Sequence, residues 1–316
     1  MAMYSIQIRK DETLMIDITL LGCGGSLPTP KRSLTALSLS YNGKNILIDC
    51  GEGTQVSMKI AHTGFKNIDI ICLTHVHADH VAGLPGLLLT IGNSGRVDPL
   101  LLVAPAQSKD ILSGLLKLCM ALPFEVRFLE CNEDRITQFH HNRIDILALP
   151  VEHSIPTVCY SFNINRKKEF NVNKALENNI PKIYWSLLQS GKKVEHEGTT
   201  YTSDMVLGDN RKGLKICYCT DTRPIPELNN FIYDCDLFIC EGMYGDDSEL
   251  AKAIQNKHML FSEAAHLAKN SNVKELWLTH FSPSLSDPIT YLDKTQEIFK
   301  NTIIGEDRLS TSLKFK

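Results

Sequence analysis

Residues 71 to 86 read Ile71-Cys-Leu-Thr-His75-Val-His77-Ala-Asp79-His80-Val-Ala-Gly-Leu-Pro-Gly86. Four candidate metal ligands, His75, His77, Asp79 and His80, fall within six positions. The apolar run Ile68 to Leu73 ahead of them predicts a buried strand, so His75 stands where strand gives way to loop. His75 and His77 are two apart and project to the same side of an extended backbone. Asp79 and His80 fall where the chain turns into the next apolar segment. Such a turn can aim one pair of ligands at one metal and the next pair at a second, adjacent one. A lone His beside a strand is ordinarily a surface or hydrogen-bonded core residue. Three His and an Asp packed this closely do not fit that description, and neutral imidazole with carboxylate suits zinc and its neighbours.

The 316 residues suffice for one large domain or two ordinary ones. A hydrophobic share of 43 % with 22 % charged residues points to a soluble globular chain. No apolar run reaches the roughly 18 residues of a membrane span, and Met1 to Lys10 lack the basic-then-apolar order of a signal peptide. Ten cysteines are scattered with no CxxC, which predicts reduced thiols in a cytoplasm and not a disulfide framework. Cys72, Cys217 and Cys240 sit in apolar runs as core residues. Net charge is −3, which argues against a general nucleic-acid binder. Its distribution is uneven. Residues 163 to 215 carry ten Lys and Arg against six Asp and Glu, a local +4, which leaves −7 on the remainder. A basic segment on an acidic body suits a clamp for a polyanion, and equally suits a solvated, charge-rich insertion.

Along the chain, Ser5-Ile-Gln-Ile-Arg9 alternates as an extra edge strand, and Met15 is an alternative start. Strands are expected over 16–21, 34–40 and 44–48, the last two joined by the hairpin turn Asn42-Gly43. Gly22-Cys-Gly-Gly-Ser26 is a turn that lets backbone approach something closely. Pro28-Thr-Pro-Lys31-Arg32-Ser33 is an exposed basic turn. A helix over 54–62 is capped by Thr54. Further helices are expected over 84–91 and 109–120. Strands follow over 100–103, 124–129, 144–150, 158–164, 214–219, 236–239 and 275–279. His62, His140, His141 and His266 read as solvated. Alternation of strand and helix signals a layered α/β architecture.

His75-Val-His-Ala-Asp79-His80 is similar to the HxHxDH signature of the metallo-β-lactamase superfamily. The flanking Asp49-Cys-Gly-Glu-Gly-Thr-Gln55 and Gly83-Leu-Pro-Gly-Leu-Leu88 resemble ribonuclease Z, the family of tRNA 3′-end-processing endonucleases. The similarity runs from Ile16 onward. It implies a four-layer αββα sandwich formed by residues 1–316, with an inserted basic arm over 163–215. It implies two zinc ions per subunit, manganese being the alternative. His75, His77 and His153 would hold the first; Asp79, His80 and His280 the second; Asp221 would bridge. Leu73-Thr-His75 and Leu278-Thr-His280 repeat one tripeptide at two strand ends, which fits the two pseudo-symmetric halves of the superfamily fold. Asp49 would orient ligand loops without binding metal. Asp79 would take the proton of the attacking hydroxide. His258, just ahead of the capped helix expected within the stretch 256–269, would stabilise the pentacovalent state or protonate the departing oxygen.

The family uses a Pro-x-Lys/Arg-x-Arg-Asn loop at the tRNA 3′ end; Lys31 and Arg32 match it, while Ser33 replaces Asn. The family's helical-hairpin arm grips the tRNA elbow, which makes Lys182, Lys192 and Lys193 substrate contacts, although Lys182-Ile183 stand where Gly-Pro is common. Tyr184 and Trp185 could stack on bases or form the hairpin core. Cys240 replaces the His of the family's His-Glu-Ala-Thr. The resemblance further implies precursor tRNA as substrate, a cytoplasmic homodimer and no membrane association. Two rivals remain open: a hydrolase of small phosphodiesters or cyclic nucleotides using the same seven ligands, and a metal-containing RNA-binding protein that does not cut.

Overall fold

The structure, a computed structural model, describes residues 15–315. The edge strand expected over Ser5 to Arg9 lies outside the described residues. In chain order, β1 (Met15–Gly22), β2 (Ala36–Tyr41), β3 (Lys44–Ile48), β4 (Ile68–Cys72), β5 (Leu100–Pro105) and β6 (Val126–Cys131) belong to one sheet. β7 (Thr137–His141), β8 (Ile144–Val151) and β9 (Thr157–Arg166) begin the second. β10 (Val194–His196) and β11 (Thr199–Tyr201) form a separate hairpin. β12 (Arg211–Cys219), β13 (Leu237–Glu241), β14 (Leu276–Thr279) and β15 (Thr302–Ile304) complete the second sheet, and β16 (Leu309–Lys314) returns to pair antiparallel with β1.

Each large sheet has seven strands, in the orders β16-β1-β2-β3-β4-β5-β6 and β15-β14-β13-β12-β9-β8-β7. Pairing is parallel from β3 to β6 and from β12 to β15. Parallel strands need helical crossovers, which cover the sheet faces. Here α1 (Thr54–Ile60), α2 (Ala78–Val81), α3 (Leu84–Asn93) and α4 (Lys109–Leu116) lie in the first half of the chain. Met58, Leu84, Leu87, Leu88, Ile91 and Leu112 from these helices pack into one buried cluster with Leu47, Ile71 and Leu102 of the sheet. On the inner side the sheets meet directly. Tyr160 Oη donates to the Leu73 carbonyl (2.7 Å), and Thr35 Oγ1 lies 2.8 Å from Tyr218 Oη. The arrangement is the expected αββα sandwich.

The chain forms two compact units. The first runs to Asn163 and resumes over Leu214–Lys314; the second is Ile164–Gly213 with Phe315. In the second unit α5 (Val172–Glu177) and α6 (Trp185–Gln189) accompany the β10–β11 hairpin, so the segment is mixed and not purely helical. Ala175, Ile180, Leu188 and Val206 form its own core, with Phe170, Tyr184 and Trp185 packed against it. Trp185 Nε1 donates to the Ile180 carbonyl (2.9 Å), which makes Tyr184 and Trp185 packing residues of this unit.

In the rest of the first unit, α7 (Pro226–Phe231), α8 (Leu250–Asn256), α9 (Phe261–Asn270) and α10 (Leu292–Ile298) complete the helices, with α9 packed on β13 and β14 and α10 on β15. Several local expectations change. The capped helix expected within 256–269 forms as α9 with His258 ahead of it, while α8, which the sequence pattern does not announce, ends where Lys257 adopts φ +57°. Gly53, at φ +86°, occupies the cap position ahead of α1, while Thr54 Oγ1 donates to the Gly51 carbonyl (2.8 Å). His140 and His141, read as solvated, sit in edge strand β7, and His140 Nδ1 lies 2.5 Å from Asp145 Oδ1. Cys159 and Cys219 are joined as a disulfide between neighbouring strands β9 and β12, with Cα atoms 4.6 Å apart. The other eight cysteines are free and buried. No helix among the described residues is long and apolar enough to cross a membrane.

Leu87, with no exposed surface, should be costly to truncate. Leu87→Ala is expected to lose about 2–5 kcal/mol in urea unfolding, through lost burial and the cavity left behind.

Candidate metal centre

The C-terminal ends of β3, β4, β12, β13 and β14 point to one rim of the sandwich, the end where open α/β sheets carry ligands. Asp49 follows β3, His75 follows β4, Asp221 follows β12 and His280 follows β14. Three of these, Asp49 (φ +57°), Asp221 (φ +57°) and His280 (φ +56°), adopt the left-handed conformation. Non-glycine residues rarely adopt it, and it recurs where function imposes it. At Asp221 and His280 the turn delivers the side chain to the ligand cluster, and at Asp49 to the outer nitrogen of His80.

The seven expected ligands lie together. His75, His77, His153 and Asp221 form one group, and Asp79, His80 and His280 another, with ligand atoms within 4.8 Å of one another in each. His75 Nε2 lies 3.0 Å from His77 Nδ1, and His77 Nδ1 lies 3.4 Å from His153 Nε2. His80 Nε2 and His280 Nε2 are 3.1 Å apart. Asp221 stands between the groups. Its Oδ1 is 3.9 Å from His75 Nε2 and 3.8 Å from His153 Nε2. Its Oδ2 is 3.1 Å from His80 Nε2 and 3.2 Å from His280 Nε2. Asp79 Oδ2 lies 3.5 Å and 3.4 Å from the same two nitrogens.

The opposite ring nitrogens of His75, His80 and His153 are already engaged. Thr74 Oγ1 lies 3.0 Å from His75 Nδ1, Asp49 Oδ2 lies 2.8 Å from His80 Nδ1, and the Lys257 carbonyl lies 3.2 Å from His153 Nδ1. Such outer partners fix which nitrogen faces inward. Fully buried Asp49 also accepts from Thr74 N–H (2.8 Å), so it orients ligand loops and is not itself in the cluster.

The donor set fits a metal. Asp221 Oδ2 is buried and has no hydrogen-bond partner despite two ring nitrogens within 3.2 Å. Imidazole nitrogens facing one another and a carboxylate at these distances suit a bound cation. Burial, then the nearby His80 ring, pushes His75 well below its usual range, and burial also lowers His77 and His153. Neutral imidazole is the form that binds metal. Burial opposes charge on His80, but the Asp221 and Asp49 carboxylates outweigh it and raise it. That half of the site attracts positive charge.

His258 lies in the segment between α8 and α9, with Nδ1 3.0 Å from Glu241 Oε2 and 3.7 Å from Asp221 Oδ1. Burial disfavours its charged form, but Glu241, then Asp221 and Asp79, raise it to about 9. Glu241 is fully buried; its Oε1 accepts from Thr222 N–H (2.6 Å) and its Oε2 from Met259 N–H (3.1 Å). Cys240, in place of the expected His, lies with its sulfur 3.9 Å from Met259 Sδ.

Sequence reading missed several supports. Ser26 N–H donates to Asp79 Oδ2 (2.7 Å), and a Cβ on Gly25 would sit 2.7 Å from the His280 ring. The doubled Gly24-Gly25 was the available signal. Arg32 was expected to meet substrate; its guanidinium donates to the Ser282 and Leu285 carbonyls beside His280, while Lys31 is exposed. Lys182, Lys192 and Lys193 are exposed on the second unit, Lys182 Nζ lying 5.8 Å from the Trp185 ring. A cavity of about 390 Å³ opens over the cluster, bordered by Ser26, His77, Asp79, His153, Lys257 and His258.

The first half of the chain, residues 16–183, matches the model of the family described as anti-Pycsar protein Apyc1. Across nearly the whole chain the similarity is to ribonuclease Z. The enzyme of Clostridium acetobutylicum is 54 % identical over 96 % of this chain and 99 % of its own length. That of Clostridium tetani is 52 % identical over 96 % of this chain and 100 % of its own. The chain belongs to the ribonuclease Z family. Ribonuclease Z enzymes are endoribonucleases of tRNA 3′ processing, so the protein is a metal-dependent hydrolase of RNA. The short form of human tRNase Z shares the fold, with TM-score 0.64 and 23 % identity over 93 % of this chain and 98 % of that one. So does the metallo-β-lactamase-fold protein YhfI of Bacillus subtilis, with TM-score 0.68 and 15 % identity over 95 % and 100 %.

Gly25→Ala forces a methyl into the space of the His280 ring. It is expected to weaken metal binding about 10–100-fold, read by competition with a chromogenic chelator.

Proposed function

We propose that the protein holds two divalent cations, zinc with manganese as the alternative, and cuts the 3′ trailer from precursor tRNA. His75, His77 and His153 would hold one cation, Asp79, His80 and His280 the other, with Asp221 available to both groups. The observation that carries this reading is the orientation of Asp221, one oxygen toward each group of imidazoles. Metal bound by these residues would supply an acidified water and a sink for charge on the phosphate oxygens.

The remaining chemistry belongs to the chain. Asp79, with Oδ2 fixed by the Ser26 N–H, accepts the proton of the attacking water. His258 donates from Nδ1 to Glu241, which leaves Nε2 to protonate the departing 3′ oxygen. Buried Thr74, Asp49 and Glu241 keep these groups aimed. Arg32 shapes the loop that presents Lys31 to the tRNA 3′ end. Lys182, Lys192 and Lys193 meet tRNA backbone, a contact that weakens with salt. By family analogy the enzyme works as a homodimer in the cytoplasm.

Asp79→Ala should abolish cleavage of 3′-extended tRNA after the discriminator base while tRNA binding persists in a filter assay; turnover near wild type would remove Asp79 from the mechanism. Deleting residues 173–209 is expected to raise KM for precursor tRNA and spare bis-p-nitrophenyl phosphate, as steady-state kinetics on both substrates would report.

A further inference from the structure

Arg223 lies two residues beyond Asp221, with its side chain 14 % exposed. Its main-chain N–H donates to the Glu152 carbonyl (3.1 Å), next to the ligand His153. Its guanidinium grips Glu263 with both terminal nitrogens, Nη1 lying 2.9 Å from Oε2. Nη1 also donates to the main-chain carbonyl of His258. Glu263 Oε2 in turn accepts from the Leu260 N–H (2.9 Å) at the start of α9. His258 belongs to no helix or strand. Its N–H donates to the Ala253 carbonyl of α8 (2.9 Å), and its carbonyl is taken by Arg223. The peptides on either side of the imidazole are therefore fixed from different directions.

We propose that Arg223 is a positioning residue for leaving-group protonation. Its guanidinium, backed by Glu263, sets the peptide plane of His258 so that Nε2 faces the departing oxygen. This rests on the leaving-group role of His258 given above. In that step the bond from phosphorus to the 3′ oxygen breaks and its electron pair stays on oxygen. The Nε2 proton of His258 moves to that oxygen and leaves a neutral imidazole. The water oxygen bonds to phosphorus, and its proton passes to Asp79. A planar, bidentate donor that also reaches a carbonyl is a task for Arg that Lys fulfils only in part.

A positioning role and a merely structural one differ in which substrate registers the change. The 3′ alkoxide of tRNA needs a proton to leave; p-nitrophenolate does not. In metal-loaded Arg223→Met, kcat for precursor tRNA is expected to fall roughly 10²-fold at unchanged KM, within the range of a lost general acid. Hydrolysis of bis-p-nitrophenyl phosphate, bound metal and the thermal midpoint should stay near wild type. Arg223→Lys should recover part of the loss, and it keeps the test available if the Met variant does not fold. His258→Ala is the control and should show the same selectivity more strongly. Equal loss on both substrates, loss of bound metal, or no loss at all while His258→Ala remains selective overturns the role of Arg223. A His258→Ala variant impaired equally on both substrates overturns the leaving-group reading itself.

Discussion

A carboxylate buried among imidazoles is costly unless charge surrounds it, and Asp221 is 2 % exposed. Its two oxygens face two sets of ring nitrogens, and every ligand loop is arranged around that demand. His75 and His153 approach one oxygen, His80 and His280 the other. The backbone accepts a left-handed turn at Asp221 to deliver the side chain. Neighbouring carboxylates then serve as props. Asp49 fixes His80 and Thr74, and Glu241 ties the Thr222 N–H to His258. Two large sheets with parallel cores supply strand ends at one rim, and this lets residues far apart in sequence meet.

Much of this is legible in the sequence. The ligand motif after an apolar strand, and its echo in Leu278-Thr-His280, mark strand ends, because a buried parallel strand reads as an unbroken apolar run. β3 over Lys44–Ile48 matches its expected bounds, since Asn42-Gly43 dictates the turn before it. Edge strands were less visible. β7 and β16 alternate between partly and fully exposed positions, so their patterns lack the strong apolar face that identifies a strand.

Contacts between distant segments were hidden for a different reason. The pairing of Cys159 with Cys219 follows from β9 lying beside β12, and spacing along the chain carries no sign of that neighbour. Lys257 carries no turn signature, yet its left-handed backbone ends α8 and leaves His258 outside any helix. Arg32 illustrates the limit of reading charge from sequence. A basic residue in an exposed-looking turn became a brace between two loops, with carbonyls as its partners.

The last strand, β16, is laid beside the first. In the turn before it, Asp307 accepts from the Cys23 N–H (3.2 Å) and the Ser33 N–H (2.7 Å), holding the glycine turn that backs His280 and Asp79. The contact between Cys23 and Asp307 closes a loop of 284 residues, so this wall of the cleft sets only after a long-range closure whose entropy the local hairpins never meet.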